Sequence, residues 1–166
     1  MSLLLFALAV AAQAPDGARQ ARYEGVFNQA TDSLDRVRGA AAGFRTDLPS
    51  ASPELVLQRA ARVHDSCRSA DAALLQVESL LADGLYTPRV AREQAQLRSG
   101  TVELRRVLGR CRREWAVPQL PTRADADTLR AWGPYRTAQL DGALRRYLGT
   151  LRGFMKKAEL KKPAAS

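Results

Sequence analysis

Two cysteines, Cys67 and Cys111, and one histidine, His64, are the residues of this chain whose chemistry is easiest to name. Cys111 sits among five arginines in the stretch LRRVLGRCRREW, residues 104–115. A thiol is activated by cations close to the sulfur and by partial exposure. On a helix, Arg110 and Arg113 leave the axis away from Cys111, and Arg112 stands at its flank. No Cys-x-x-Cys occurs. The pattern therefore predicts no nucleophilic or redox thiol.

Two readings of the cysteines remain. In an exported chain a cysteine pair suggests a disulfide, because that compartment is oxidising. The alternative is two small apolar residues buried on helix seams, a common fate of free cysteine.

One histidine and two cysteines fall short of the four ligands at set spacings that structural zinc requires. A haem held by His64 and Met155 rests on two residues only, and Cys-x-x-Cys-His is absent. His64 reads instead as a flank residue bonded to an aspartate or water. Gly-x-Ser-x-Gly, Walker, dinucleotide-glycine and His-Glu-x-x-His motifs are all missing. Asp32 and Asp35 lie one turn apart, and Asp125 and Asp127 precede the last helix. A di-iron bundle needs two Glu-x-x-His pairs, which one histidine cannot supply. These residues predict a protein that is not an enzyme and has no cofactor or metal.

Charge is distributed unevenly. Residues 16–47 are neutral and 53–83 carry −2, whereas 89–114 carry +5 and 123–166 carry +6, together the +9 of the chain. The excess belongs to the third and fourth helices. Consecutive helices are usually neighbours, so these two should present one continuous basic face. Its predicted residues are Arg92, Arg98, Arg105, Arg106, Arg110 and Arg113 on the third helix. On the fourth they are Arg145, Arg146, Arg152, Lys156 and Lys157. Such a face suits an anionic membrane surface or acidic polysaccharide. An arginine-rich composition also yields basic faces that have no partner.

The elements that must position these residues follow from spacing. Tyr23, Phe27, Ala30, Leu34, Val37, Ala41, Phe44 and Leu48 recur at alternating steps of four and three. Val56, Ala60, Val63, Cys67, Ala70, Leu74, Val77 and Leu81 do the same, as do Val90, Gln94, Leu97, Thr101, Leu104, Leu108, Cys111 and Trp115. A fourth series runs Leu140, Leu144, Tyr147, Leu151 and Phe154, flanked by Leu148 and Met155. An apolar period near 3.5 keeps one seam toward a partner helix. Breaks at 47–54, 83–89 and 117–127 divide the series, and Ser52–Pro53 and Thr87–Pro88 read as caps followed by proline.

The spacing thus predicts an all-α, antiparallel up-down-up-down four-helix bundle over residues 16–157, with helices near 17–46, 53–83, 88–116 and 126–157. Trp132–Gly133–Pro134 is expected to kink or interrupt the fourth helix. Residues 158–166 read as a basic flexible tail.

The same seams set a test for the cysteines. A hairpin turning near Leu85 places Leu81 opposite Val90, Leu74 opposite Leu97 and Cys67 opposite Leu104. Cys111 then faces Ala60, and the cysteines stand about 10 Å apart in level. A bridge needs Cα atoms within about 7 Å. The idealised register forbids the bond, while a tilt or shifted register permits it.

The chain opens with MSLLLFALAVAAQAPDG. The uncharged run 3–12, followed by Ala-x-Ala at Ala9–Ala11 and Ala12–Ala14, has the layout of a cleavable secretory signal over residues 1–14. It is short of the roughly 20 apolar residues of a membrane span. No Lys or Arg precedes it, and Pro15 disfavours the second site. The expected location is periplasmic or extracellular, by a bacterial-type Sec signal, which leaves nucleic acid as the least favoured partner. The expected role is structural or interactive within the cell envelope, with an envelope protein or an anionic membrane surface as the candidate partner. The alternative is a binder of anionic surfaces through the third and fourth helices, and a third reading is a cofactor or redox bundle.

Overall fold

A computed structural model describes residues 17–161. The expected signal segment and the last five residues lie outside them. The described residues form four helices that pack against one another, and they include no strand.

Helix α1 spans Gly17–Arg45. It stops where Asp47 turns left-handed, with φ 48°. The Asp47 carbonyl there accepts both the backbone N–H and the hydroxyl of Ser50. Helix α2 spans Pro53–Ala82, and the Ser52 hydroxyl accepts the Leu55 N–H at 3.3 Å. That bond satisfies one of the orphan donors of a helix start, and Pro53 sits where no donor is needed. A single 3-10 turn, Pro88–Val90, leads into α3, Ala91–Glu114.

Helix α4 spans Arg123–Lys157 and begins three residues before the expected position. Thr122 and Asp125 cap each other. The Thr122 hydroxyl accepts the Asp125 N–H at 3.3 Å, and the Asp125 carboxylate accepts the Thr122 N–H at 2.7 Å. This is a capping box with Asp in the place usually held by Glu or Gln. It also holds the Asp125 carboxyl below its ordinary range, through the Thr122 backbone bond first and its hydroxyl second.

All the seam residues of the four series are buried. Each helix packs on the next, α4 also packs on α1, and α2 touches α4. Burying a large aliphatic or aromatic side chain contributes about 1.5–3 kcal/mol, so these seams are the main stabilising term.

Of the kink or interruption expected at Trp132–Gly133–Pro134, the interruption does not occur, because α4 runs through Pro134 as one helix. Proline removes a backbone donor and costs a helix interior about 3 kcal/mol. The surroundings of the proline are tightly packed. The Thr137 hydroxyl donates to the carbonyls of Gly133 at 3.0 Å and Pro134 at 2.9 Å. Gly133 lets the Phe44 ring lie against the helix, where a Cβ would stand 2.4 Å from Phe44 Cε1. Phe44 meets Trp115 edge-on at 4.7 Å between centroids, and Trp115 meets Trp132 at 4.9 Å.

The expected register of α2 and α3 is displaced by one heptad. Cys111 lies opposite Cys67, not Ala60, and the two are bonded, with Cα atoms 6.3 Å apart. Arg105 reaches both Asp71 and Glu78 of α2, in agreement with the shifted pairing. The cause is the connection, which is no tight turn at Leu85. Gly84 takes φ 123°, Tyr86 folds into the core and stacks on Tyr23 at 4.6 Å, and only then does the 3-10 turn begin. Buried Gln94 secures this path. Its amide donates to the Gly84 carbonyl at 2.7 Å, and its carbonyl accepts the Tyr86 N–H at 2.7 Å.

The segment expected as the start of a flexible tail is packed as far as Lys161. Glu159 adopts φ 58°, and the N–H groups of Glu159 and Leu160 return to the carbonyls of Lys156 and Met155. This Schellman arrangement brings an apolar residue back onto the last turn, and Leu160 is buried. The Lys161 N–H then donates to Glu24 of α1 at 2.8 Å and is the main cause of the lowered pKa of Glu24.

Candidate anion-binding groove between α3 and α4

The basic residues of α3 and α4 do not make one continuous face. They divide according to the helix they lean toward. Arg105 points toward α2, where Glu78 and Asp71 hold its guanidinium and push its pKa further up. Arg112 shares Asp71 at 3.1 Å. The cleft between α2 and α3 therefore carries its own counter-charges, and Arg106, Arg110 and Arg113 line it as well. Arg106 also approaches Glu103 at 3.4 Å.

On α4, Arg145 lies toward α1. It shares Asp141 with Arg38, whose Nε stands 3.1 Å from that carboxylate. Burial pushes the Asp141 carboxyl up, but the Arg145 and Arg38 guanidiniums outweigh it and hold the group low. Lys157 is paired with Glu93 of α3, and Arg92 is the sequence neighbour of that glutamate. Arg105, Arg145 and Lys157 thus serve the fold. Among the described residues, Arg98, Arg110, Arg113, Arg146, Arg152 and Lys156 are exposed and have no carboxylate within 4 Å.

Arg110 of α3 and Arg146 of α4 line a groove of about 570 Å³ between their helices. Small residues of α4 (Ala138, Gly142 and Ala143) keep it open, and Cys111, Trp115 and Leu140 form its floor. Arg136 joins them, with its guanidinium 3.6 Å from Glu114. Three guanidiniums against one carboxylate leave the groove an excess of two positive charges. At its mouth Gln139 donates to the Tyr135 hydroxyl at 2.7 Å, and Tyr135 is 65% exposed.

Arg136, Tyr135, Gln139 and Gly142 escaped the sequence reading, which began the fourth seam at Leu140. The same spacing extends backward through Thr137, Gly133, Leu129 and Ala126, all of which are buried. Following those small and polar positions would have placed Arg136 and Gly142 beside the third helix.

The residues considered for other chemistry are not brought together. His64 approaches Asp65 at 3.2 Å, and its stretch of α2 lies beside Gly39 and Gly43 of α1. Phe154, the neighbour of Met155, meets Phe27 edge-on at 5.6 Å between centroids. Twelve residues of helix separate Gly39 from Phe27, roughly 18 Å, so His64 and Met155 cannot ligate one haem. The Cys111 sulfur is bonded and its residue is buried, so the surrounding arginines have no thiol to activate. Burial pushes the Tyr147 phenol up, and it stays a neutral hydroxyl 2.9 Å from that of Thr101. Among the described residues no cluster of His, Cys, Asp and Glu could hold a metal ion, and no helix is long and apolar enough to cross a membrane.

The chain matches no protein-family model, no curated protein and no solved structure.

Proposed function

We propose that this chain is an exported, non-catalytic four-helix bundle that docks on anionic surfaces of the cell envelope through the α3–α4 side. The bundle is read as up-down-up-down. Three contacts support that direction: Arg22 early in α1 pairs with Asp83 just after α2, at 3.0 Å. Glu93 early in α3 meets Lys157 at the end of α4. Glu114 at the end of α3 meets Arg136 in the first half of α4. Export is supported by the apolar run 3–12 with its Ala-x-Ala sites and by a cysteine pair within bonding distance.

The observation that carries the docking role is a set of eight exposed cations on α3 and α4 without a carboxylate partner within 4 Å among the described residues: Arg92 and Arg123 together with Arg98, Arg110, Arg113, Arg146, Arg152 and Lys156. Unmatched cations attract polyanions by releasing their counterions, and the attraction weakens as salt screens it. Co-sedimentation with vesicles is the test. The protein should pellet with vesicles rich in anionic lipid at low ionic strength, detach as salt rises, and ignore neutral vesicles. Absence of association at low salt overturns the reading. Export is tested separately by sequencing the N-terminus of the protein recovered from the envelope fraction. A start after Ala11 or Ala14 supports it, and retention of Met1 in the cytoplasm refutes it.

A further inference from the structure

We infer that the α3–α4 groove is a discrete site for a single-chain amphiphile with a phosphate head. The inference rests on the anion-docking reading of the same face and adds a concavity to it. A purely electrostatic surface needs no concavity, yet Arg110 and Arg146 flank one of about 570 Å³. That volume falls in the range of small-molecule sites, whose usual design is an apolar lining with a few placed polar groups.

The charge and the lining point to the two halves of such a ligand. The excess of two positive charges matches the one to two negative charges of a phosphate monoester. Guanidinium forks also suit phosphate oxygens bidentately, which an ammonium cannot do. Glu114 engages Arg136, so Arg110 and Arg146 are the two arginines left without a carboxylate. The apolar part of the lining comes from Ala138, Leu140, Gly142 and Ala143 of α4 and from Val107 of α3. From Arg136 to Arg146 the groove follows ten residues of helix, roughly 15 Å, a length that accepts an alkyl chain laid along it.

The other concavities carry less. The α2–α3 cleft already contains Asp71 and Glu78 as counter-charges. The depression between α1 and α2 is lined by Gly39, Ala40 and Gly43 together with Asp65, and nothing there selects an occupant.

The test is calorimetric titration of the full chain with dodecyl phosphate below its micelle concentration, with inorganic phosphate and dodecyl maltoside as controls. Saturable one-to-one binding of dodecyl phosphate is expected, about tenfold or more tighter than inorganic phosphate because the chain adds apolar burial. The uncharged maltoside should bind about tenfold or more weakly as well, for want of the charged hydrogen bonds. Gly142→Leu fills the groove and changes no charge. A Cβ at this position meets only the Arg146 guanidinium, at 3.7 Å, an ordinary contact. This variant should weaken dodecyl phosphate binding about tenfold or more by occupying the ligand's space, while its association with anionic vesicles persists. Arg110→Ala with Arg146→Ala removes two exposed side chains and should weaken binding to a similar degree. Equal binding of the maltoside or of inorganic phosphate overturns the inference, as does undiminished binding by either variant. Loss of vesicle association by the unmodified chain, with dodecyl phosphate binding intact, would sink the surface-docking reading and leave the groove standing.

Discussion

Cys67 of α2 and Cys111 of α3 are bonded across 44 residues of sequence, with Cα atoms 6.3 Å apart. The bond closes a loop that contains the second half of α2, the connection with Tyr86, and nearly all of α3. On the chain-entropy account, closing a loop of that size restricts the unfolded chain by about 4 kcal/mol. Cys67→Ser with Cys111→Ser should therefore lower unfolding stability by about 2–4 kcal/mol in urea titrations. Reductant should move the midpoint of the unmodified chain in the same direction and leave the double variant unmoved. A thiol assay on denatured, unreduced protein should find no free cysteine.

Gln94 is one of two polar residues on the α3 seam, with Thr101, and its amide serves the backbone of the α2–α3 connection. Gln94→Leu keeps the volume but leaves the buried Tyr86 N–H without its acceptor. The expected cost is about 1–3 kcal/mol. Hydrogen exchange should localise the opening to residues 83–90. Uniform loss of protection along the chain would contradict this role.

Gly133 and Gly149 lie on the same helix and should respond to alanine with opposite signs. At Gly133 the new Cβ meets Phe44 Cε1 at 2.4 Å and Trp115 Cη2 at 3.1 Å. The rings must move, and overpacking of this kind costs about 1–3 kcal/mol. At Gly149 nothing lies within 4 Å, so alanine should add about 0.5–1 kcal/mol by restricting the unfolded chain. Thermal melts of the two variants decide the matter, and a stabilised Gly133→Ala would refute the close packing of Phe44 on α4.

Asp141 links α1 to α4 through Arg38 and Arg145, and its side chain is 13% exposed. Its native pKa is lowered despite burial, so ionisation favours the folded state. That stabilisation is fully present above the ordinary carboxylate pKa of about 3.9 and is lost as pH falls through the lower native value. Asp141→Asn should cost about 1.5–3 kcal/mol near neutrality, the worth of hydrogen bonds to a charged group. The deficit should shrink below about pH 4, as the unfolded chain's carboxyl protonates first and the native one follows at its lower pKa. A deficit that is independent of pH would mean that Asp141 acts by shape alone.

The division between sequence and tertiary structure follows the range of the interactions involved. Helix existence and helix face are local properties, because an apolar step of three and four residues has one period and one stripe. Tyr23 through Leu48, Val56 through Leu81 and Val90 through Trp115 could therefore be assigned to the core before any coordinates. The Ser52 cap was legible for the same reason, and so was the concentration of charge on α3 and α4. Register was not. Sliding one helix by seven residues returns every seam residue to the facing seam, so the pattern is blind to a one-heptad shift. Only the length of the connection, taken up by Tyr86 and the Gln94 amide, decided that Cys111 meets Cys67. Ion pairing was equally hidden, since it depends on which carboxylate of another helix stands at the same level. Arg105 and Arg145 looked equivalent to Arg110 and Arg146 until Asp71, Glu78 and Asp141 claimed the first pair. The packing beside Pro134 was hidden too, since it involves Phe44, a residue ninety positions away in sequence. Periodicity determines which residues turn inward, while packing across helices determines which of the outward charges remain unmatched.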